Sequence, residues 1–151
     1  MSRSPRGLEM VARCADHWFV DYGTDPERPF GEVLETARVS MERMRERASR
    51  HGRTVSFGLS AFVVPATSEN SGWERVARLR VEAGARSPEL VIPQLGAVGA
   101  QLVGPSELIR ERVAAYQEIG IDLVLCKYVP DPSALPELAS ILAPTMATAG
   151  R

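Results

Sequence analysis

The chain has 151 residues, of which 44% are hydrophobic and 25% are charged. This composition is typical of one globular domain and excludes an intrinsically disordered chain. Lys and Arg total 18 against 19 Asp and Glu, so we expect no nucleic-acid partner, because no excess of positive charge is present to bind phosphates. The longest apolar runs are shorter than the roughly 18 residues of a membrane span, so we expect no membrane partner either. The first ten residues lack the apolar segment of a secretory signal, and we therefore expect a cytoplasmic protein.

Two elements are predicted at the start of the chain. Ser4 precedes Pro5 and a series of apolar residues at helical spacing. This is the pattern of an N-cap, a proline in the first helical turn and a helix that reaches Cys14. Residues 17–20 are aromatic or β-branched after His17 and lead into turn-forming residues, which predicts a short buried strand.

The second helix and strand give the clearest pattern. Apolar residues recur at steps of three and four over residues 30–48, which predicts one buried helical stripe. Gly52 supplies the left-handed residue that commonly follows a helix C-terminus. The alternating segment 55–64 then predicts a strand that Pro65 ends.

The middle of the chain is less regular. Residues 68–84 predict a helix of weaker amphipathicity. Residues 85–103 contain Pro and Gly without a sustained apolar period, and they predict a loop or short excursion.

A third helix and strand are again well marked. Gly104 and Pro105 begin a helix that Gly120 ends. The run 121–126 is almost wholly apolar, which predicts a parallel strand covered on both faces. A short last helix over residues 134–142 is expected before a loose tail over residues 144–151.

The order of these elements predicts the fold class. Helices and strands alternate, with glycine turns from helix to strand, and this pattern is typical of an α/β fold with parallel strands. We expect one unit over residues 1–151 with about three strands. Three parallel strands leave two open edges, so we expect this unit to be part of a larger sheet or barrel.

Several segments in this order carry a family resemblance. They are Cys14-Ala15-Asp16-His17-Trp18-Phe19-Val20, His51-Gly52-Arg53, Phe57-Gly58-Leu59, Leu102-Val103-Gly104-Pro105 and Tyr116-Gln117-Glu118-Ile119-Gly120-Ile121-Asp122. Together they resemble the bacterial luciferase-like flavin-dependent monooxygenases, most of all the alkanesulfonate and dimethylsulfone monooxygenases. The resemblance implies the C-terminal part of a (β/α)8 TIM barrel, with its sixth, seventh and eighth strands near Trp18, Phe57 and Val124. Many family members place one residue between the glycine and the proline that are adjacent here as Gly104 and Pro105.

The resemblance also implies a cofactor site and a catalytic residue. Ser4 matches the serine of a family turn that holds the phosphate of reduced FMN, although the family's glycines are replaced here by Met1 and Ser2. A simple N-cap role also accounts for Ser4. Tyr128 follows the last strand where sulfonate-type members carry a tyrosine, and a phenol there can donate a proton during oxygen transfer. A tyrosine that packs on the Pro130 turn is the alternative.

Further candidates follow from the expected barrel, because active sites of such barrels lie at the C-terminal ends of the strands. We expect Tyr22, Ser60 and Phe62 to bind substrate, with Asp21 and Lys127 nearby. In the sulfonate enzymes an arginine and a histidine occupy the positions of Ser60 and Phe62. Without them a sulfonate loses a charge-assisted hydrogen-bond partner, so the sequence argues against a sulfonate substrate.

The remaining chemistry-bearing residues give weaker signals. His17 and His51 have no nucleophile or second ligand at a suitable spacing, so we expect no metal. Cys14 and Cys126 are far apart and are expected to be buried free thiols.

The resemblance implies an enzyme that uses reduced FMN, supplied by a flavin reductase, to oxygenate a small organic and possibly organosulfur substrate. A deazaflavin is the alternative cofactor. Half a barrel lacks most of the flavin walls, so we expect a homo-oligomer or association with another chain. Two alternatives remain open, namely a non-catalytic α/β module that binds a partner and a truncated remnant of the family.

Overall fold

The structure is a computed structural model, and it describes residues 4–23, 25, 27–86, 99–127 and 135–146. Helices and strands alternate along these residues, as the sequence predicts. The helices are α1 (Pro5–Cys14), α2 (Phe30–Ser49), α3 (Glu69–Arg86), α4 (Ser106–Glu118) and α5 (Leu135–Met146). The strands are β1 (His17–Phe19), β2 (Ser56–Phe62), β3 (Val64–Pro65), β4 (Val103–Gly104) and β5 (Leu123–Lys127).

The main sheet has three strands in the order β1-β2-β5, and both pairings are parallel. Phe19 pairs with Gly58, and Gly58 pairs with Leu123, so these three residues share one level of the sheet. The predicted α/β class with parallel strands is therefore confirmed. A second, two-stranded parallel sheet joins β3 to β4.

Helix α1 begins as the sequence predicts. The backbone N–H of Gly7 donates to Ser4 Oγ at 3.1 Å, so Ser4 is the N-cap, and Pro5 lies in the first turn. Beyond the C-terminus of α1, Asp16 O accepts from the N–H of Ser56 at 2.8 Å, and its carboxylate accepts from Arg53, just beyond the C-terminus of α2, at 2.8 Å. Helices α1 and α2 therefore run in the same direction, with their N-termini at the same end of the sheet.

The side of the sheet that faces the helices holds the main core. Trp18 is 8% exposed, Phe57 is 3% exposed, and Leu59 and Ala61 are fully buried. The apolar residues that pack against them come chiefly from α2 and α4, and they include Ala37, Met41, Met44, Ala48, Ile109, Val113 and Tyr116. The apolar stripe of α2 is therefore core packing.

The opposite side of the sheet corrects one prediction. Leu123 and Leu125 of β5 are 43% and 49% exposed, so β5 is not covered on both faces. Alternate residues of a strand point to opposite faces, which sends Val124 and Cys126 toward the core and the two leucines away from it. Leu123 and Leu125 are therefore the large apolar side chains that β5 leaves exposed.

The strand predicted over residues 55–64 is divided in the structure. The N–H of Val63 donates to Lys127 O, in β5, at 3.2 Å, whereas the N–H of Val64 donates to Leu102 O at 2.9 Å. The backbone thus changes partner within one residue and leaves the main sheet for the small one.

The predicted loop over residues 85–103 differs from the structure at its edges. Helix α3 continues to Arg86, and Val103 belongs to β4 because Pro65 and Val64 pair with Gly104 and Val103. Gly104, expected to begin a helix, is a strand residue with φ +120°, and α4 begins at Ser106. The tail predicted over residues 144–151 is wrong at its start, because α5 continues to Met146. The centre of the predicted loop and residues 147–151 lie outside the described residues.

Three further findings concern the described part of the chain. None of its helices combines the length and apolar character that a bilayer crossing requires. It contains no group of three or more His, Cys, Asp or Glu side chains placed to hold a metal ion. Cys14 and Cys126 are both free, but Cys14 is exposed rather than buried, because it lies on the outer side of α1.

Candidate functional site

The C-terminal ends of the three parallel strands meet at one end of the sheet, which we call the mouth. β1 ends at Phe19, β2 at Phe62 and β5 at Lys127. Helix α2 follows β1, so its N-terminus lies toward the mouth, and α1 runs parallel to α2. The N-terminus of α1, with Ser4, therefore lies toward the same end as the predicted substrate-binding residues.

The start of α1 has the character of an anion site. Ser4 and Arg6 are exposed, and the first turn contains no acidic residue. A helix N-terminus carries partial positive charge and first-turn N–H donors, which favour a phosphate or another anion. The structure shows the N-cap role of Ser4 directly, and its role in cofactor binding stays a prediction.

The structure places Tyr22 in contact with Ser60, and this contact is with the backbone of Ser60 rather than with its side chain. The Tyr22 hydroxyl donates a hydrogen bond to the Ser60 carbonyl oxygen, and both residues are buried, at 4% and 5% exposure. One rung earlier, the N–H of Val20 donates to Gly58 O at 2.9 Å. Alternate carbonyls of β2 point to β1, so Ser60 O is the next acceptor after Gly58 O. Because the chain leaves the sheet after β1, the phenol of Tyr22 donates to Ser60 O in place of a backbone N–H.

Phe62 faces a second cluster of apolar residues beyond the mouth. It is half-buried and packs, with Trp73, against Val64, Val76 and Val103. This satellite cluster joins α3 to the small sheet. Substrate binding by Phe62 stays a prediction, and the structure adds a packing role that the alternating pattern of β2 did not suggest.

Of the other predicted residues, Asp21 and Lys127 follow or end strands at the mouth. Asp21 Oδ1 accepts a hydrogen bond from the N–H of Gly23 at 3.2 Å, and Lys127 is half-buried at the end of β5. Tyr128, the predicted catalytic residue, lies outside the described residues. His17 begins β1, so it lies at the end of the sheet opposite the mouth.

His51 takes part in a charged contact between α1 and α2. Glu9 lies 2.6 Å from His51, 3.5 Å from Arg13 and 4.0 Å from Arg47. The hydrogen bond from His51, followed by the charges around the carboxylate, lowers the pKa of Glu9. This position accounts for His51 as a residue that stabilises the helix pair.

Sequence reasoning missed a buried charged cluster beside the satellite cluster, and we call it the Arg112 cluster. The Arg112 guanidinium donates to Gln101 O at 2.6 Å and to Glu69 Oε1 at 2.7 Å. It also lies 5.1 Å from the centre of the Phe30 ring. Arg112 is only 8% exposed. Its place in the sequence is a usable signal, because it lies on the same helical stripe as the buried Ile109, Val113 and Tyr116.

Tyr116 completes the Arg112 cluster. Its hydroxyl donates to Ala100 O at 3.2 Å, and its ring meets that of Phe30 edge to face at 5.6 Å. Burial, with a smaller contribution from Tyr22, raises the pKa of Tyr116 well above its usual range. The phenol therefore remains a hydrogen-bond donor at any working pH, which suits a structural role.

The comparisons with known proteins agree with this architecture. The family model of luciferase-like monooxygenases matches residues 1–123. The chain is similar to the long-chain alkane monooxygenase LadA, with 16% identity and a TM-score of 0.63 over 99% of this chain. It is also similar to DmoA from Hyphomicrobium sulfonivorans, with 14% identity and a TM-score of 0.62 over 99% of this chain. These likenesses show the fold, so the three parallel strands correspond to a fragment of a luciferase-like TIM barrel.

A third similar structure is an F420-dependent secondary alcohol dehydrogenase in complex with an F420-acetone adduct. It shares 16% identity with this chain and covers 94% of it, with a TM-score of 0.58. The chain spans 40% of LadA, 41% of DmoA and 46% of the dehydrogenase, which is less than half the length of each. Because the family model matches most of its residues, the chain belongs to the luciferase-like monooxygenase family.

Proposed function

We propose that this chain supplies the last three βα units of the active site of a monooxygenase that uses reduced FMN. The family match over residues 1–123 is the observation that carries this proposal. The meeting of the α1 N-terminus with the C-terminal strand ends supports it, because cofactor and substrate sites of such barrels lie at that end. A small organic substrate, with organosulfur compounds among the candidates, is the class we propose.

The start of α1 fits the phosphate of such a cofactor. Ser4, Arg6 and the first helical turn present a hydroxyl, a guanidinium and the positive end of the helix dipole, with no carboxylate in that turn. When bound, the reduced flavin supplies the electrons that activate oxygen. The protein's own task at this point is to bind and orient the phosphate end.

The strand ends are proposed to orient the substrate and exclude water. Ser60 and Phe62 are uncharged, and the Tyr22 phenol is held against the β2 backbone. We therefore propose a neutral substrate rather than a sulfonate, since a desolvated sulfonate needs a charged partner. Tyr128 is the proposed proton donor.

A complete site needs more strands than the described residues provide. The exposed Leu123 and Leu125 lie on the face of the sheet away from the helices. We propose that further barrel strands cover this face, contributed by a second copy of the chain or by another chain, and that a separate reductase delivers the reduced flavin.

A deazaflavin is the second candidate cofactor. The similarity to an F420-dependent dehydrogenase, at 16% identity, is the observation that supports this candidate.

A non-catalytic module that binds a partner is the second candidate function. The hydrogen bond that engages Tyr22 and the packing that engages Phe62 favour it, because both give structural reasons for these side chains.

An anaerobic titration with reduced FMN tests the proposal directly. Fluorescence of Trp18 and Trp73 reports binding, and reduced F420 is titrated in parallel. We expect saturable binding of one flavin with a Kd in the micromolar range, which corresponds to about 8 kcal/mol. Saturation by F420 alone would select the deazaflavin. Absence of binding by both up to about millimolar concentration would favour the non-catalytic module.

Two N-cap variants separate cofactor binding from helix stability. Ser4→Ala removes the cap of α1, and Ser68→Ala removes the cap at the start of α3, where Ser68 Oγ accepts from Ser71 N at 3.1 Å. Each loses a comparable capping interaction. We expect Ser4→Ala to weaken flavin binding about tenfold and Ser68→Ala to leave it unchanged. Equal effects of the two variants on flavin binding would show that Ser4 caps α1 and does not bind the cofactor.

A turnover assay tests the proposed role of Tyr128. With a reductase and a substrate found by screening, we expect Tyr128→Phe to lower turnover by about 100-fold, because general acid catalysis contributes on that order. The unfolding midpoint should stay within experimental error of the wild type. Normal turnover of the variant would remove Tyr128 from the catalytic site.

The size of the particle in solution tests completion of the barrel. We expect the wild-type chain to associate with itself at micromolar concentration, and Leu125→Lys to abolish this by placing a charge on the open face. Val81→Lys is the matched control, because Val81 of α3 is 75% exposed on another surface. If the wild-type chain is monomeric, a second copy of the chain is excluded, and the proposed strands must come from another chain.

A further inference from the structure

Arg112 has no part in the cofactor or substrate contacts proposed above, yet it is a buried charge with three separate partners. Its two terminal nitrogens donate to different segments, Nη1 to Gln101 O at 2.6 Å and Nη2 to Glu69 Oε1 at 2.7 Å. A third contact is the Phe30 ring under the guanidinium. A planar guanidinium satisfies such a divided set of partners, whereas the single ammonium of lysine does not.

The segment that Arg112 holds has an unfavourable backbone conformation. Gln101 has φ +57°, the one positive φ among the non-glycine residues of the described chain. Its side chain is held as well, because Nε2 donates to Arg28 O at 2.6 Å. A non-glycine residue in this region costs free energy and persists only where its surroundings enforce it. Arg112 is part of those surroundings.

The pairing of the small sheet begins directly after Gln101. Leu102 O accepts from the N–H of Val64 at 2.9 Å, and Gly104 O accepts from the N–H of Ala66 at 2.9 Å. Val64 and Ala66 follow β2 immediately beyond Phe62 and the mouth. Glu69, the other partner of Arg112, begins α3 three residues later. The guanidinium therefore bridges both chain segments that extend past the mouth.

We propose that Arg112 is a positioning residue for the mouth. It holds Gln101 in its left-handed conformation, and this fixes the register of β3 on β4 and the place where the chain leaves β2. Its effect on flavin binding rests on the proposed function, whereas its effect on the small sheet does not. A mouth that is already fixed loses less conformational entropy when a ligand binds.

Site-resolved hydrogen exchange separates positioning from general stabilisation. The variant is Arg112→Lys, and its matched control is Arg110→Lys, since Arg110 is a half-buried residue of α4 whose guanidinium lies 3.6 Å from the Glu107 carboxylate. We expect Arg112→Lys to speed exchange at the N–H groups of Val64 and Ala66 by at least about tenfold, since local opening governs exchange. Exchange in the main sheet at Val20 and Asp122, whose N–H groups donate to Gly58 O and Phe57 O, should not change.

The outcomes are distinct. Equal acceleration in both sheets would show that Arg112 only stabilises the whole fold, and no acceleration would show that it does not hold the segment. Either result overturns the proposal. If Arg112→Lys fails to fold, Glu69→Gln keeps the arginine and its bond to Gln101 O while removing one charge, and a smaller acceleration confined to Val64 and Ala66 is expected.

A flavin titration then tests the link to the mouth. We expect Arg112→Lys to raise the Kd for reduced FMN about fivefold and Arg110→Lys to leave it unchanged. Unchanged binding with accelerated exchange at Val64 and Ala66 would overturn the link to the mouth. If the wild-type chain binds no flavin, the proposed function fails, and the exchange experiment still decides whether Arg112 positions the small sheet.

Discussion

The two faces of the three-stranded sheet differ in the exposure of their large apolar side chains. On the helix side, Phe57 is 3% exposed and Leu59 is fully buried, whereas Leu123 and Leu125 on the other side are 43% and 49% exposed. The residues involved are equally apolar and lie on adjacent strands. The described part of the chain therefore completes one hydrophobic layer and leaves the two leucines of β5 exposed on the other face.

This difference separates the face that stabilises the fold from the face that adjoins the proposed site. The helix side has the packing of a finished core and accounts for the stability of the unit. The open side leaves Leu123 and Leu125 exposed, and it is the face that we propose further strands cover. The open face adjoins the mouth at Phe62 and Lys127. Strands that cover this face would therefore also complete the proposed site.

The largest expected effect comes from removing equal volume on the two faces. Leu59→Ala leaves a cavity in the closed core and should lower the free energy of unfolding by about 2–5 kcal/mol. Leu125→Ala removes a half-exposed side chain and should cost less than about 1 kcal/mol in the monomer. Urea denaturation of both variants measures this. Similar losses would mean that the open face is already covered in solution.

Two buried glycines give an intermediate effect. A Cβ on Gly72 would lie 2.5 Å from Val103 Cγ1 and 3.1 Å from the backbone N of Gly104, inside the contact of α3 with β4. A Cβ on Gly58 would lie 2.8 Å from the ring of Phe19, which can move toward the open face. We expect Gly72→Ala to cost about 1–3 kcal/mol by overpacking and Gly58→Ala to cost less. The unfolding temperatures of the two variants measure this difference: the contact around Gly72 is fixed by packing, whereas the ring beside Gly58 can move.

The smallest effect concerns the surface of the helix layer. The hydrogen bond from His51 lowers the pKa of Glu9 in the folded state. Its stabilising contribution is therefore present above the pKa of Glu in the unfolded chain and is lost as the pH falls through the folded-state pKa. Urea midpoints of the wild type and of Glu9→Gln, measured between about pH 3 and pH 6, should converge at the acid end. A constant difference across that range would contradict this linkage.

The regular parts of the fold follow closely from local patterns. Ser4 and Pro5 predict the start of α1, the apolar stripe from residue 30 predicts α2, and Gly52 and Gly120 have the positive φ angles expected after helices. These signals succeed because capping, helical periodicity and left-handed turns depend on neighbours within a few residues.

Other features depend on residues far apart in the sequence. The change of partner between Val63 and Val64 is decided by Lys127 and Leu102. The hydrogen bond from Tyr22 to Ser60 O joins residues 38 positions apart. Local patterns contain no information on such pairings, so the sequence placed these residues at the mouth without showing what they contact.

The sequence by itself determined a parallel α/β unit, its helices and main strands, and its resemblance to the luciferase-like monooxygenases. Those properties depend on periodicity, caps and short motifs, which are local. Only the tertiary structure decided which face of the sheet is closed and how Arg112 reaches Gln101 and Glu69. Burial and charge pairing arise from contacts between distant segments, and they exist only once the chain is folded.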